Sequence, residues 1–344
     1  MFLILRVGVC IMLEFLSTYG MFLLKVITAT AAILLVFSGI LAISGKNKIK
    51  PREKISIRNL NDKYTELKDA INFETLSKDE FKALEKKQKQ DKKAEAKKNK
   101  TKKTKHQKRI FLLNFDGDTE ASAVETMREE ITAVLTAAKP EDEVVVRIDS
   151  AGGMIHSYGL AASQLQRIRD HKIPLTVSVD KVAASGGYLM ACVADKIIAS
   201  PFAILGSIGV LAEIPNFNRL LKKHDVTYEQ ITAGEYKRTL SMFGENTTKG
   251  RKKMQEEVEE AHKLFKKFVA THRPKVAIEK ISTGEHWYGS RALQLKLVDE
   301  IITSDDYLLS ASEESKIYEI TYTIKKSITE RFSFLAKAAR RFFF

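Results

Sequence analysis

Leu175-Thr176-Val177-Ser178-Val179-Asp180-Lys181-Val182-Ala183-Ala184-Ser185-Gly186-Gly187-Tyr188 is the stretch whose reading decides the fold. Its first five residues form a strand-length run rich in β-branched side chains. Small residues around Ser185 then suit a tight turn, and Leu189-Met190-Ala191-Cys192-Val193-Ala194 continues as an apolar, helix-like run. A serine flanked by small residues can present a bare hydroxyl with backbone N–H groups close by. Those are two needs of acyl-transfer chemistry, an exposed nucleophile and donors for the oxyanion. A close-packing turn without chemistry accounts for the same residues.

The alternation of strand and helix extends to both sides. Ile110 to Phe115 reads as a buried strand, Glu120 to Ala138 as a helix, and Val144 to Ile148 as a second strand. A glycine turn and a helix from about Ser157 to Arg169 follow. Beyond Ser185, strands are predicted at Ile197-Ile198, Ala203 to Leu211 and Tyr228 to Thr232. A long amphipathic helix comes next, from about Thr247 to Thr271, with Asn246 or Thr247 as its N-cap. Such a pattern predicts an α/β domain with mostly parallel pairing.

Upstream, Val26 to Ile43 is almost unbroken apolar sequence, extended by Met21 to Leu24 across Lys25. Its length predicts one transmembrane helix, an anchor over residues 21–45 behind a lead-in at 1–20. No small-residue cleavage site follows, so the anchor is expected to be uncleaved, and Met12 is an alternative start. Residues 46–109 read as a helical, lysine-rich linker, with helical spacing from Asp62 to Glu85.

The chain has 57 Lys and Arg against 43 Asp and Glu, a net charge of +14. Lys82 to Arg109 alone holds 14 basic and three acidic residues, so the high isoelectric point belongs to the linker. A solvated linker or contact with anionic lipid headgroups fits that composition. Nucleic acid is not an expected partner, because no aromatic residue interleaves the lysines between Phe81 and Phe111. The tail at 325–344 mixes Lys and Arg with Phe332, Phe334, Leu335 and Phe342 to Phe344, suiting an interfacial helix, an oligomer contact or a frayed end. Two cysteines, Cys10 and Cys192, exclude a disulfide framework, and seven scattered histidines lack ligand spacing. No metal and no cofactor is expected.

A nucleophilic serine needs a base. His156, after the Gly152-Gly153 turn, is the best histidine, but no carboxylate is placed to orient it. A lysine is the other solution, provided that burial keeps its amine neutral. Lys237, directly after a strand-like run and beside Tyr236, is a candidate, although most of the 57 basic side chains must be simply solvated.

Taken in order, Asp149-Ser150-Ala151-Gly152-Gly153, Ala184 to Tyr188, Gly206-Ser207-Ile208-Gly209-Val210, Gly234-Glu235-Tyr236-Lys237 and Thr283 to Gly289 with Leu297-Val298-Asp299-Glu300 resemble the motifs of the signal peptide peptidase A family. Anchor, basic linker and single peptidase domain are similar to its SohB-type inner-membrane members, from Met12 to about Glu330. The resemblance implies a Clp protease/crotonase-like fold of repeated β-β-α units at 110–324 and a Ser-Lys dyad. It implies Ser185 as nucleophile, Lys237, 52 positions later, as general base, and Ser207 as the hydroxyl that orients the lysine. Backbone N–H groups of Gly153 and Gly186, then Gly152, would form the oxyanion hole. The implied partners are extended peptides such as signal peptides or misfolded segments, membrane lipid, and further copies of the chain, with serine and lysine possible from neighbouring copies.

Two departures stand out. Ala151 replaces the family's usual proline, which loosens the turn by some tenths of a kcal/mol. Lys296 stands where glycine is usual; if that position adopts a positive φ, lysine costs roughly 1 kcal/mol there. Two other classes stay open on sequence alone: a catalytically inactive, membrane-tethered peptide-binding oligomer and a crotonase-type acyl-CoA enzyme. The side of the bacterial inner membrane is open too. The lysines after the span favour the cytoplasm, whereas family members that digest signal peptides act from the outer face, and long domains translocate regardless of charge.

Overall fold

The computed structural model describes residues 19–34, 52–84, 86–87, 90 and 107–325. Residues 54–323 form one compact unit; residues 1–53 with 324–344 form another. In the latter, residues 19–34 are helical and exposed. Among the described residues no helix is long and apolar enough to cross a membrane. Part of the expected anchor, residues 35–45, lies outside the described residues, as do residues 1–18 and the tail beyond Lys325.

The larger unit is built on a ten-stranded, mostly parallel sheet. Its strands begin with β1 (Arg52–Asn59), β2 (Arg109–Gly117), β3 (Glu143–Ser150), β4 (Leu175–Val179) and β5 (Val182–Ala184). They continue with β6 (Lys196–Ala199), β7 (Ile204–Gly206), β8 (His286–Tyr288), β9 (Glu300–Ile301) and β10 (Lys316–Lys325). The main path runs β1-β10-β2-β3-β4-β6-β9, and a short branch, β5-β7-β8, springs from β3. β2 and β3 read as near-continuous apolar runs because both faces of the sheet are covered. Helices α2 (Val124–Ala137), α3 (Ile155–Asp170) and α4 (Gly186–Ala191) supply Met127, Ile131, Leu165 and Met190 to the core against Leu113, Val146 and Val177. On the other face α1 (Leu60–Thr75) and α9 (Ser304–Ala311) lay Leu60 and Leu308 on Ile110, Leu112, Val145 and Ile317.

Three expectations need correction. The segment 46–109 is not all linker: β1 pairs with β10, Leu60 is buried, and the Asn61 amide donates to the Ser312 and Ser315 carbonyls while its oxygen accepts the Ile317 N–H. Those contacts come from 250 residues away, which no local composition can reveal. Tyr228 to Thr232, predicted as a strand, is irregular, and the strand predicted over Ala203 to Leu211 ends at Gly206. Tyr228 to Thr232 is exposed, so its β-propensity has no sheet to join, whereas the chain leaves β7 at Ser207 because a φ of 51° turns it out of the strand. By contrast, the long helix is found as α6 (Thr248–His272), with Thr247 Oγ1 accepting the Gly250 N–H at 3.0 Å as its N-cap. Two short helices, α5 (Asn218–Lys223) and α7 (Ile278–Ile281), flank it, and α8 (Gly289–Gln294) follows β8. Lys296, just past α8, has φ 62°, the left-handed conformation whose cost to a lysine was anticipated.

Candidate active site

The short branch of the sheet gathers motifs that are far apart in sequence. Ser150 pairs with Ala183, Ala184 with Gly206, and Gly206 with His286, so the ends of β3, β5 and β7 and the start of β8 lie side by side. Ser185 follows β5 and caps α4, with φ 51° and ψ −118°. That region is dominated by glycine in ordinary proteins, so a serine here is held by its surroundings. The surroundings are clear: the Ser185 N–H donates to the Gly206 carbonyl at 2.8 Å, and its carbonyl accepts the Leu189 N–H at 3.0 Å. Ser207, one residue beyond β7, repeats the device with φ 51° and donates its N–H to the Glu285 carbonyl at 2.7 Å.

Both serines line a cavity of about 840 Å³, together with Gly152, Gly153 and Gly186. Its walls are largely apolar, including Met154, Leu189, Val210, Leu211 and Phe265. Gly152 has φ 91°, and a Cβ there would sit 2.6 Å from the Gly186 nitrogen. The Gly152 N–H is engaged by Ser150 Oγ at 3.1 Å, whereas Gly186 is the first residue of α4, where helices leave N–H groups without intrahelical acceptors. The Gly186 N–H is therefore freer than that of Gly152 to face the cavity.

Lys237 is not brought to this cavity. It lies exposed in the irregular stretch between α5 and α6, its N–H donating to the Gly234 carbonyl at 3.2 Å. Its neighbours are tied to α6 instead: Glu235 pairs with Lys249, and Tyr236 lies under the ammonium groups of Lys249 and Lys253. The stretch closes on itself through Asn216, whose amide donates to the Ser241 carbonyl at 2.8 Å, yet leaves apolar side chains bare. Leu211 is 78% and Ile231 97% exposed.

Residue-by-residue reading of motifs missed the second layer. Tyr158 contacts Ser150 before the glycine turn and donates to the Asp118 carbonyl, the Thr119 carbonyl accepts the Met154 N–H just after the turn, and His262 and Phe265 reach the cavity from α6. Tyr158 carries a sequence signal only in hindsight, as a helix residue on the face of Ala161, Ala162 and Leu165. Burial pushes its phenol above the usual tyrosine range, so it stays a neutral hydroxyl.

A twisted α/β sheet that sets a strained serine beside glycine N–H groups in an apolar cavity defines a peptidase-like site, and the family comparison agrees. Residues 14–165 match the model of the peptidase family S49 N-terminal region and residues 167–318 that of peptidase family S49. The chain belongs to this family and is a protease of the SohB type. It is 49% identical to a protein named "Probable protease SohB" from Haemophilus influenzae, over 93% of this chain and 92% of that one. Proteins of the same name from Buchnera aphidicola are 49% identical over 93% and 94%, and 48% identical over 87% and 100%, of the two chains. The crotonase-type alternative gives way to a peptidase acting on peptide substrates.

Proposed function

We propose that this protease is a membrane-anchored serine endopeptidase of Clp protease/crotonase-like fold with a Ser-Lys dyad. Ser185 Oγ attacks the scissile carbonyl, and its proton passes to the neutral amine of Lys237. The tetrahedral oxyanion is held by the Gly153 and Gly186 N–H groups. Collapse expels the amine, which takes the proton from the lysine, and water then hydrolyses the acyl-enzyme with the same lysine as base. Ser207 orients the lysine. The observation that carries the reading is the strained φ of Ser185 in the lining of a largely apolar cavity, since backbone strain of about 1–3 kcal/mol persists where function requires it.

The exposure of Lys237 favours a dyad completed by a second copy of the chain. A lysine that acts as a base must be covered to be neutral, and among the described residues of one chain Lys237 lies exposed. Leu211 and Ile231, both largely exposed, offer apolar surface for such a contact. Extended peptides, such as signal peptides or misfolded segments, are the substrates that a narrow, shared site would admit. The apolar sequence over 21–45 is the proposed anchor in a bacterial inner membrane.

The test uses the full chain in detergent. Ser185→Ala and Lys237→Ala should each abolish both peptide cleavage and fluorophosphonate labelling, because the probe reacts only with a serine that its base has activated. Dissociating and reassembling the two inactive variants together should restore part of the activity. Cleavage that survives Ser185→Ala would overturn the nucleophile; activity that survives Lys237→Ala would overturn the dyad.

A further inference from the structure

We propose that Tyr158 is the positioning residue of the oxyanion side of this site, holding the Gly152-Gly153 turn at a set separation from Gly186. The proposal rests on the reading of Ser185 as nucleophile. Tyr158 lies in the first turns of α3 and is fully buried. Its hydroxyl donates to the Asp118 carbonyl at 2.7 Å. A phenol has one proton, so in its contact with Ser150 Oγ at 2.6 Å the serine is the donor. Ser150 Oγ in turn accepts the Gly152 N–H at 3.1 Å. Peptide N–H, serine hydroxyl, tyrosine hydroxyl and peptide carbonyl thus form one directed relay, each bond polarising the next.

The ring of the same side chain supports the other half of the site. A Cβ added to Gly186 would lie 2.3 Å from Tyr158 Cγ and 2.7 Å from Cδ2, so the Gly186 backbone rests directly on the ring. On the far side of the turn, the Met154 N–H donates to the Thr119 carbonyl at 2.8 Å, fastening it to the segment that Tyr158 also grips. One side chain therefore supports both sides of the proposed oxyanion site, the Gly152-Gly153 turn by its hydroxyl through Ser150 and Gly186 by its ring directly. A phenylalanine would keep the ring and the packing but break the relay. Ser150 Oγ would then have only the Gly117 carbonyl, 3.4 Å away on β2, and in turning to it would slacken its hold on Gly152.

Misplacement of a catalytic group by about 1 Å can cost about 100-fold in rate. The experiment compares wild type, Tyr158→Phe, Ser150→Ala and the double variant as full chains. A fluorophosphonate counts labelled Ser185 sites, a quenched fluorescent peptide gives kcat and KM per labelled site, and a peptide boronate reports oxyanion binding. For Tyr158→Phe, kcat per site should fall about 10- to 100-fold with KM within about twofold. Boronate affinity should weaken by the factor lost from kcat/KM. The double variant should be no worse than Ser150→Ala, because both changes cut one relay. Wild-type kcat per site, a deficit that lies wholly in fewer labelled sites, or additive losses would each overturn the positioning role. No labelling of Ser185 in the wild type would overturn the nucleophile, and this role with it.

Discussion

Replacing Ser185 by glycine and, separately, by alanine separates its strain from its chemistry. The residue has φ 51° and ψ −118°, a conformation open to glycine and costing a residue with a Cβ about 1–3 kcal/mol. Alanine keeps the Cβ and so keeps that cost, whereas glycine removes it. Glycine also gives the unfolded chain more freedom, which offsets about 0.5–1 kcal/mol of the gain. The difference leaves Ser185→Gly about 1 kcal/mol more stable than Ser185→Ala, the reverse of their order in ordinary helices and strands. For a unit of this size that corresponds to about 2 °C in Tm. Thermal unfolding of the two full-length variants, read by intrinsic fluorescence from Trp287 in β8, supplies the comparison. Both variants should be inactive, so the comparison is free of substrate effects. If Ser185→Gly proved less stable than Ser185→Ala by the usual 0.5–1 kcal/mol, the strain argument would fail.

Gly186→Ala should be much more damaging than a surface change, because its methyl meets a rigid buried ring at 2.3 Å; a loss of about 1–3 kcal/mol is expected by urea titration, with cleavage abolished. Tyr188→Phe should cost about 1–2 kcal/mol in the same titration, since the buried hydroxyl donates to the Leu297 carbonyl at 2.9 Å and would leave that acceptor unpaired. Glu130 is buried, which raises its pKa against the opposing Tyr322 N–H. A raised carboxyl contributes stability that is full below the unfolded value, near 4.3, and is lost as pH rises through the folded value. Glu130→Gln should therefore be more stable than wild type at neutral pH and lose that advantage on acidification, as a pH series of melts would reveal.

Local sequence determined much of this protein. Apolar runs bounded by polar residues specify β2, β3 and β4, the last two rich in β-branched side chains, and Thr247 before an amphipathic pattern specifies the start of α6. At Lys296 the resemblance to a family that usually has glycine raises a positive φ as a condition, and the structure has φ 62° there. The small residues around Ser185 suit a tight turn by themselves, whereas Ser207 and the glycines are singled out only by the resemblance of the ordered motifs.

What only the tertiary structure decided depends on contacts made at long range. That β1 and α1 belong to the folded unit follows from Asn61 reaching Ser312 and Ile317, not from the lysines that follow them. The role open to Tyr158 arises because strand pairing carries Asp118, Ser150 and Gly186 to one side chain, an encounter that no spacing along the chain predicts. Lys237 marks the far limit of the single chain. Its motif is plain in sequence, yet among the described residues its side chain lies exposed, because burial is set by long-range packing and not by the residues on either side.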